Sequence, residues 1–171
     1  VNPHVWTSIE NYINQVKEIS QVLIQQNSEN KQIYEENTEK YIKDLEKVEK
    51  QYEKISQELN GQKAICLNEA LEYLAKDIKL EYISLHTDHD ENSMSAESIK
   101  NIINKMNTEN IKIILIGKDD SIKNAEILAN ETNAKIYKLD TVLTGATDKS
   151  AYIDAANRNL EVLKSVLGDE K

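Results

Sequence analysis

The 171-residue chain holds three histidines, and each has an acid or an amide close by. His4 stands in Asn2-Pro3-His4-Val5-Trp6, and His86 and His89 stand in His86-Thr87-Asp88-His89-Asp90-Glu91. Imidazole nitrogen and carboxylate oxygen are donors suited to Zn²⁺ or Mn²⁺, whereas an isolated histidine is seldom a ligand at all. Competing chemistries are not signalled. There is no Gly-x-Ser-x-Gly and no phosphate-binding Gly-rich loop, since Gly117 and Gly145 stand alone. Cys66 is the only cysteine, so it forms no internal disulfide and no Cys-based zinc knuckle. It lies in an apolar run, Lys63-Ala64-Ile65-Cys66-Leu67, and is read as a buried strand residue. His4 and Asp140 are too far apart in sequence to form a local motif, so only a fold can join them.

The elements that would do so are legible in the periodicity. Ile9, Tyr12, Ile13, Val16, Ile19 and Leu23 recur at helical spacing behind a Thr7-x-x-Glu10 capping box, which predicts an amphipathic first helix. Over 28–60, Tyr34, Thr38, Tyr41, Leu45, Val48, Tyr52, Ile55 and Leu59 recur at steps of four and three, and Gly61 marks the stop. A helix of that length runs roughly 50 Å at 1.5 Å per residue. Its single apolar stripe must lie along something large, either a coiled-coil partner or a compact body that the helix crosses as a spine.

Beyond Gly61, short apolar runs at 63–67, 80–85, 111–116 and 134–139 alternate with helical patterns at 69–76, 95–106, 121–132 and 149–167. Four β-α units in series predict a parallel sheet covered on both faces. The fold class is therefore α/β: long N-terminal helices, one of them a spine, then a four-stranded parallel lobe flanked by helices. In such sheets ligands gather beyond the carboxyl ends of the strands. Those ends are polar in every case: Asn68 and Glu69, then 86–91, then 117–120, then 140–145.

Composition narrows the function classes. With 21 Lys and Arg against 30 Asp and Glu, the net charge is −9. That argues against a phosphate-tracking surface, and nucleic acid is not an expected partner. No apolar stretch approaches the roughly 20 residues of a membrane-spanning helix.

Several of these segments together resemble the metal-binding solute-binding proteins of ABC importers, the zinc/manganese family that includes adhesin-like lipoproteins. The resemblance is carried by Asn2-Pro3-His4-Val5-Trp6, where the family has Asp-Pro-His-Val-Trp at the end of its first lobe, and by the long 28–60 helix. It continues in Glu69-Ala70-Leu71-Glu72-Tyr73-Leu74-Ala75, in 111–140, and in Tyr152-Ile153-Asp154-Ala155-Ala156-Asn157-Arg158-Asn159-Leu160. It implies three parts: 1–27 as the end of the first lobe, 28–60 as the linking helix and 61–171 as the C-terminal lobe. It also implies that the chain is a C-terminal fragment of a parent that is extracytoplasmic, at the cell surface and tethered by lipid.

What the resemblance implies for the site can be carried over position by position. His4 matches the histidine that closes the first lobe, and Asp140 matches the carboxylate after the last strand. The family's His or Glu after the first strand of this lobe falls on Asn68. An amide oxygen is a much poorer transition-metal donor than imidazole or carboxylate, so affinity falls or another group substitutes. Glu69 is adjacent, and His86, at the end of the second strand on the same rim, is the other candidate. Asn2 replaces the family's Asp, weakening the support for a histidine ligand, and Trp6 is read as a packing anchor.

The implied function is capture of Zn²⁺, or Mn²⁺ in second place, for the membrane permease of an ABC importer, with no bond chemistry. The alternative is a helical scaffold or adhesion module that dimerises through the long helix and binds no metal. The first-helix stripe with Ile13, Val16 and Leu23 is expected to be exposed, so that the chain self-associates.

Overall fold

The computed structural model describes residues 2–85 and 95–169. A 3-10 turn, Val5–Thr7, leads into α1 (Ile9–Gln26). The residue that caps α1 is Ser8, whose side chain accepts from the Asn11 amide, and not Thr7 of the expected capping box. Thr7 belongs to the preceding turn, where its hydroxyl donates back to the His4 carbonyl. Asp77, far along the chain, completes the cap by accepting from the Ile9 amide at 3.1 Å.

After a second 3-10 turn, Ser28–Asn30, α2 runs from Lys31–Leu59. At 1.5 Å per residue it is roughly 44 Å long, and Gly61, at φ +80°, follows its end in the left-handed region. The apolar stripe is used within the chain. Leu45, Val48, Tyr52, Ile55 and Leu59 are buried in the same core as Tyr152, Ala156, Leu160 and Leu163. The Tyr52 hydroxyl donates to the Ala156 carbonyl at 2.9 Å. Nearer its start α2 lies against α1, where Thr38 donates to Ser20 at 2.8 Å and the Tyr12 and Tyr41 rings meet edge to face. The helix is thus a spine, tied to α1 at one end and to the α/β body at the other.

The body comprises β1 (Lys63–Cys66), α3 (Glu72–Asp77), β2 (Glu81–Ser84), α4 (Ala96–Thr108), β3 (Ile113–Gly117), α5 (Lys123–Thr132), β4 (Lys135–Leu139) and α6 (Ala151–Asp169). All strand pairs are parallel, and the order is β2-β1-β3-β4. Successive side chains on a strand point to opposite faces, and the two apolar layers follow from that. Ala64, Cys66, Ile113, Leu115, Tyr137 and Leu139 join the core that holds α2 and α6. Ile65, Ile114 and Ile116 join Met106, Ala125 and Leu128 of α4 and α5. Burial on both sides is why the strands read as unbroken apolar runs. Each is shorter than its run; Leu80 and Ile111, for example, bond back to the Ala75 and Met106 carbonyls of the preceding helices and not into the sheet.

The first helix departs from expectation. Ile13 is buried and Val16 packs against the core, while Ile19, Val22 and Leu23 are exposed near the far end of α1, with Ile33 at the start of α2. No described helix is long and apolar enough to cross a membrane.

Candidate functional site

The strand order reverses between β1 and β3, so the crevice for a ligand opens where these two strands end. Asn68 sits at the end of β1. Its Oδ1 accepts from the Ala70 amide at 2.8 Å, starting a 3-10 turn over Glu69–Leu71, and its Nδ2 donates to Asp120 Oδ2 at 2.8 Å. Asp120 folds back over the end of β3 to take the Gly117 amide as well, at 2.7 Å. Only glycine permits this, because a Cβ at 117 would lie 2.7 Å from that carboxylate oxygen. The Asn68 amide is therefore engaged on both sides in closing the switch point. Beneath it Cys66 is fully buried, as expected; its thiol donates to the Asn68 carbonyl, and burial pushes its pKa up to about 12.

The residues before α1 are stitched onto this rim. The Asn2 side chain donates to the Glu69 carbonyl at 2.7 Å and to Glu72 at 3.3 Å, and the Tyr73 hydroxyl donates to the Asn2 carbonyl. These two donor contacts settle which end of the Asn2 amide is nitrogen. Its Oδ1 then accepts from the His4 amide at 2.9 Å and faces His4 Nδ1 at 2.9 Å. An amide oxygen can only accept, so Nδ1 carries a proton, and in the neutral ring Nε2 carries the lone pair, the tautomer that a metal-binding imidazole needs. Asn2 thus performs the orienting task, without the charge of a carboxylate. Glu69 Oε1 lies 3.7 Å from His4 Nδ1. The fold brings His4 and Glu69 together although they are remote in sequence.

Asp140 follows β4 and is held on every side. The Asn159 side chain accepts from its backbone amide at 2.6 Å and donates to its carbonyl at 2.9 Å. Carboxylate Oδ1 takes the Val142 amide at 2.9 Å; Oδ2 takes Lys118 Nζ at 2.9 Å and Arg158 Nη2 at 3.0 Å. The side chain is only 3% exposed. Burial by itself would push its carboxyl upward, but Lys118, the Val142 amide and Arg158 outweigh this and hold it below the usual carboxylate range. Val142, a β-branched residue, is at φ +56°, an unfavourable conformation of the kind that collects at functional sites.

Trp6 connects the two halves of the rim. Its indole N–H donates to the Thr141 carbonyl at 3.1 Å, its ring meets His4 edge to face at 5.3 Å, and its carbonyl accepts from the Tyr152 hydroxyl at 2.7 Å. Trp6, read from the sequence as a packing anchor, is half-buried. Among the described residues, no three His, Cys, Asp or Glu side chains converge closely enough to hold a metal ion. His86 lies outside the described residues, as does the rest of the 86–91 stretch. Sequence reasoning did not assign Lys118, Arg158 or Asn159 to Asp140, although all three fall inside segments that carried the resemblance.

A parallel sheet backed by a spine helix carries an imidazole and carboxylates along one rim. The chain belongs to the ZnuA family, the periplasmic component A of zinc-uptake complexes, whose profile matches residues 1–166. It is 31% identical over 172 residues to the high-affinity zinc uptake system protein ZnuA of Bacillus subtilis (strain 168), a match covering 98% of this chain. The chain spans about half, 54%, of the length of that relative.

Among solved structures, the metal-dependent lipoprotein YcdH from Bacillus subtilis superposes with a TM-score of 0.79 at 29% identity, over 96% of this chain and 63% of that one. FpvC from Pseudomonas aeruginosa, solved in complex with Mn²⁺, superposes with a TM-score of 0.84 at 24% identity, over 100% of this chain and 65% of that one. The expected fold class is the observed one.

Proposed function

We propose that the chain is the C-terminal portion of an extracytoplasmic, lipid-tethered solute-binding protein that captures Zn²⁺, with Mn²⁺ in second place, and delivers it to the membrane permease of an ABC importer. It performs no bond chemistry. The observation that supports this reading is the Asn2 oxygen set against His4 Nδ1, which in the neutral ring leaves the Nε2 lone pair for a ligand, in a chain that belongs to a zinc-uptake family. Imidazole favours zinc over manganese, which prefers an all-oxygen set.

His4 and Asp140 are the ligands supplied with most support. Glu69, whose Oε1 lies 3.7 Å from His4 Nδ1, is the candidate carboxylate in place of the amide at Asn68, and His86 is the candidate second imidazole. Zinc sites want four ligands in most cases. Capture between two lobes, with residues 1–27 at the edge of the first, 28–60 as the link and 61–171 as the second, accounts for a rim that is incomplete within these residues.

The test is the metal content of the intact protein purified without chelator, followed by zinc titration of His4→Ala and Asp140→Ala. Each variant is expected to lose at least about tenfold in affinity, or roughly 1.4 kcal/mol. Metal-free protein that takes up no zinc, or both variants binding like the wild type, would refute the assignment.

The scaffold alternative has one observation in its favour, the exposed group Ile19, Val22, Leu23 and Ile33 near the α1–α2 connection. That group, and not the long stripe, would be the surface of self-association.

A further inference from the structure

The carboxylate assigned to the cargo already holds two cations. Lys118 Nζ and Arg158 Nη2 both contact the same oxygen of Asp140, Oδ2, while Oδ1 holds the Val142 amide. A zinc ion bound to Oδ2 would sit about 2.0–2.2 Å from it. Two positive side chains at hydrogen-bond range of that oxygen would then face a divalent ion at contact distance in a buried setting, where charges are poorly screened. The three cannot share the oxygen.

The backbone geometry says which parts can move. Asp140 is pinned through its own amide and carbonyl by Asn159, and Lys118 is pinned by its backbone amide on the Leu139 carbonyl at 2.8 Å. What remains free to rearrange is the Lys118 stem, at 36% side-chain exposure, and the Arg158 side chain, at 59%. Both approach from the solvent side while the carboxylate is buried, so both can swing out without unfolding anything.

We infer that Lys118, assisted by Arg158, is an affinity-setting residue that occupies the cargo's place on Asp140, so that metal capture proceeds by exchange of a tethered cation for the divalent one. This rests on the metal-capture reading above. Such exchange lowers the affinity for the ion and favours its release, because the leaving ion is replaced by a charge the protein carries with it. It also discriminates against monovalent cations, which offer Asp140 nothing that Lys118 does not already supply.

The test uses zinc titrations of the intact protein. Lys118→Gln should tighten zinc binding by at least about tenfold, the influence of one unit charge on a contacting divalent ion even in a water-like dielectric. Lys118→Arg, which keeps the charge, should bind like the wild type, and Arg158→Gln should shift affinity in the same direction as Lys118→Gln. As a readout that a merely structural role would not move, the Lys118 amine should acylate faster in the zinc-saturated protein than in the metal-free protein. If Asp140→Asn abolishes binding while Lys118→Gln and Arg158→Gln leave it unchanged or weaken it, the exchange is refuted and the capture reading stands. If Asp140→Asn binds zinc like the wild type, Asp140 is no ligand and the exchange falls, while the capture reading is then decided by His4→Ala.

Discussion

Gly117→Ala is the sharpest test of how the switch point is closed. A methyl at this position would lie 2.7 Å from Asp120 Oδ2, 2.8 Å from Oδ1 and 2.9 Å from Cγ. No real Cβ tolerates such contacts, so the Asp120 carboxylate must leave. With it go the bonds from the Gly117 amide at 2.7 Å and from Asn68 Nδ2 at 2.8 Å. Gly117 is buried in the last position of β3, and stranding a buried amide costs about 1–3 kcal/mol. The exposed Asn68–Asp120 contact adds little, since water replaces it. Against the loss stands the narrower unfolded ensemble of alanine, which contributes about 0.4–1 kcal/mol at a position with ordinary φ. The net expectation is destabilisation by about 1–2 kcal/mol. Urea denaturation followed by far-UV circular dichroism measures it, with an unchanged m-value showing that only stability moved. In the Asp120→Ala background the same glycine substitution has room for its methyl and should be neutral or stabilising. A single variant as stable as the wild type, or a cycle in which the two substitutions simply add, would refute the steric argument.

Four further outcomes follow from contacts elsewhere. Burial raises the Asp77 carboxyl above its ordinary value, and Glu10 pushes it the same way, while its bonds from Ser8 and Ile9 only partly oppose this. The penalty on its charged form is present at neutral pH, is relieved as pH falls through the raised folded-state value, and is gone below the ordinary carboxylate value of about 3.9. Asp77→Asn, which can still accept from Ile9, should therefore gain stability at pH 7 and lose that advantage in acid. Chemical denaturation as a function of pH would count against the idea if the two proteins kept a constant difference. Tyr52→Phe removes the hydroxyl that donates to the Ala156 carbonyl in the core and should destabilise by about 0.5–1.5 kcal/mol; thermal unfolding showing no change would contradict it. Asn68→His should tighten zinc binding in the intact protein by at least about tenfold, because imidazole is a better donor than an amide. Equal or weaker binding by titration would mean that position 68 does not face the cargo. Ile19→Glu should lower any concentration-dependent association of this chain in sedimentation velocity, whereas a monodisperse wild type would remove the self-association proposal.

The element types were legible because each answers to a local pattern. Apolar runs bounded by polar residues became β1 to β4, and the single stripe from Tyr34 to Leu59 became one uninterrupted helix. Gly61 stopped it at a left-handed position that few other residues adopt readily. The burial of Cys66 followed from its neighbours alone. The histidine that could do chemistry, His4, was singled out by its type and by a neighbourhood that resembled a family motif.

What the linear pattern could not decide was which partner each polar group would meet. Thr7 and Ser8 are equally good caps by residue type, and the choice fell to Ser8 because the Thr7 hydroxyl turns back to the His4 carbonyl. On α1, Val16 and Leu23 lie on one face, yet one packs against the core and the other is 43% exposed. The stripe specifies a face, and only the packing of α2 and α6 determines how far along that face the core extends. Asn2 looked like a loss of support for His4, and only its donor contacts to Glu69 and Glu72 show that its oxygen is aimed at Nδ1. By sequence Asp140 is a carboxylate after the last strand, and only the parallel β3–β4 pairing and the placement of α6 bring Lys118 and Arg158 onto it. Local propensities act over a few residues and are written in order along the chain. Hydrogen bonds and charge contacts between residues 18 to 70 positions apart depend on strand order and helix placement, and those exist only once the chain has folded.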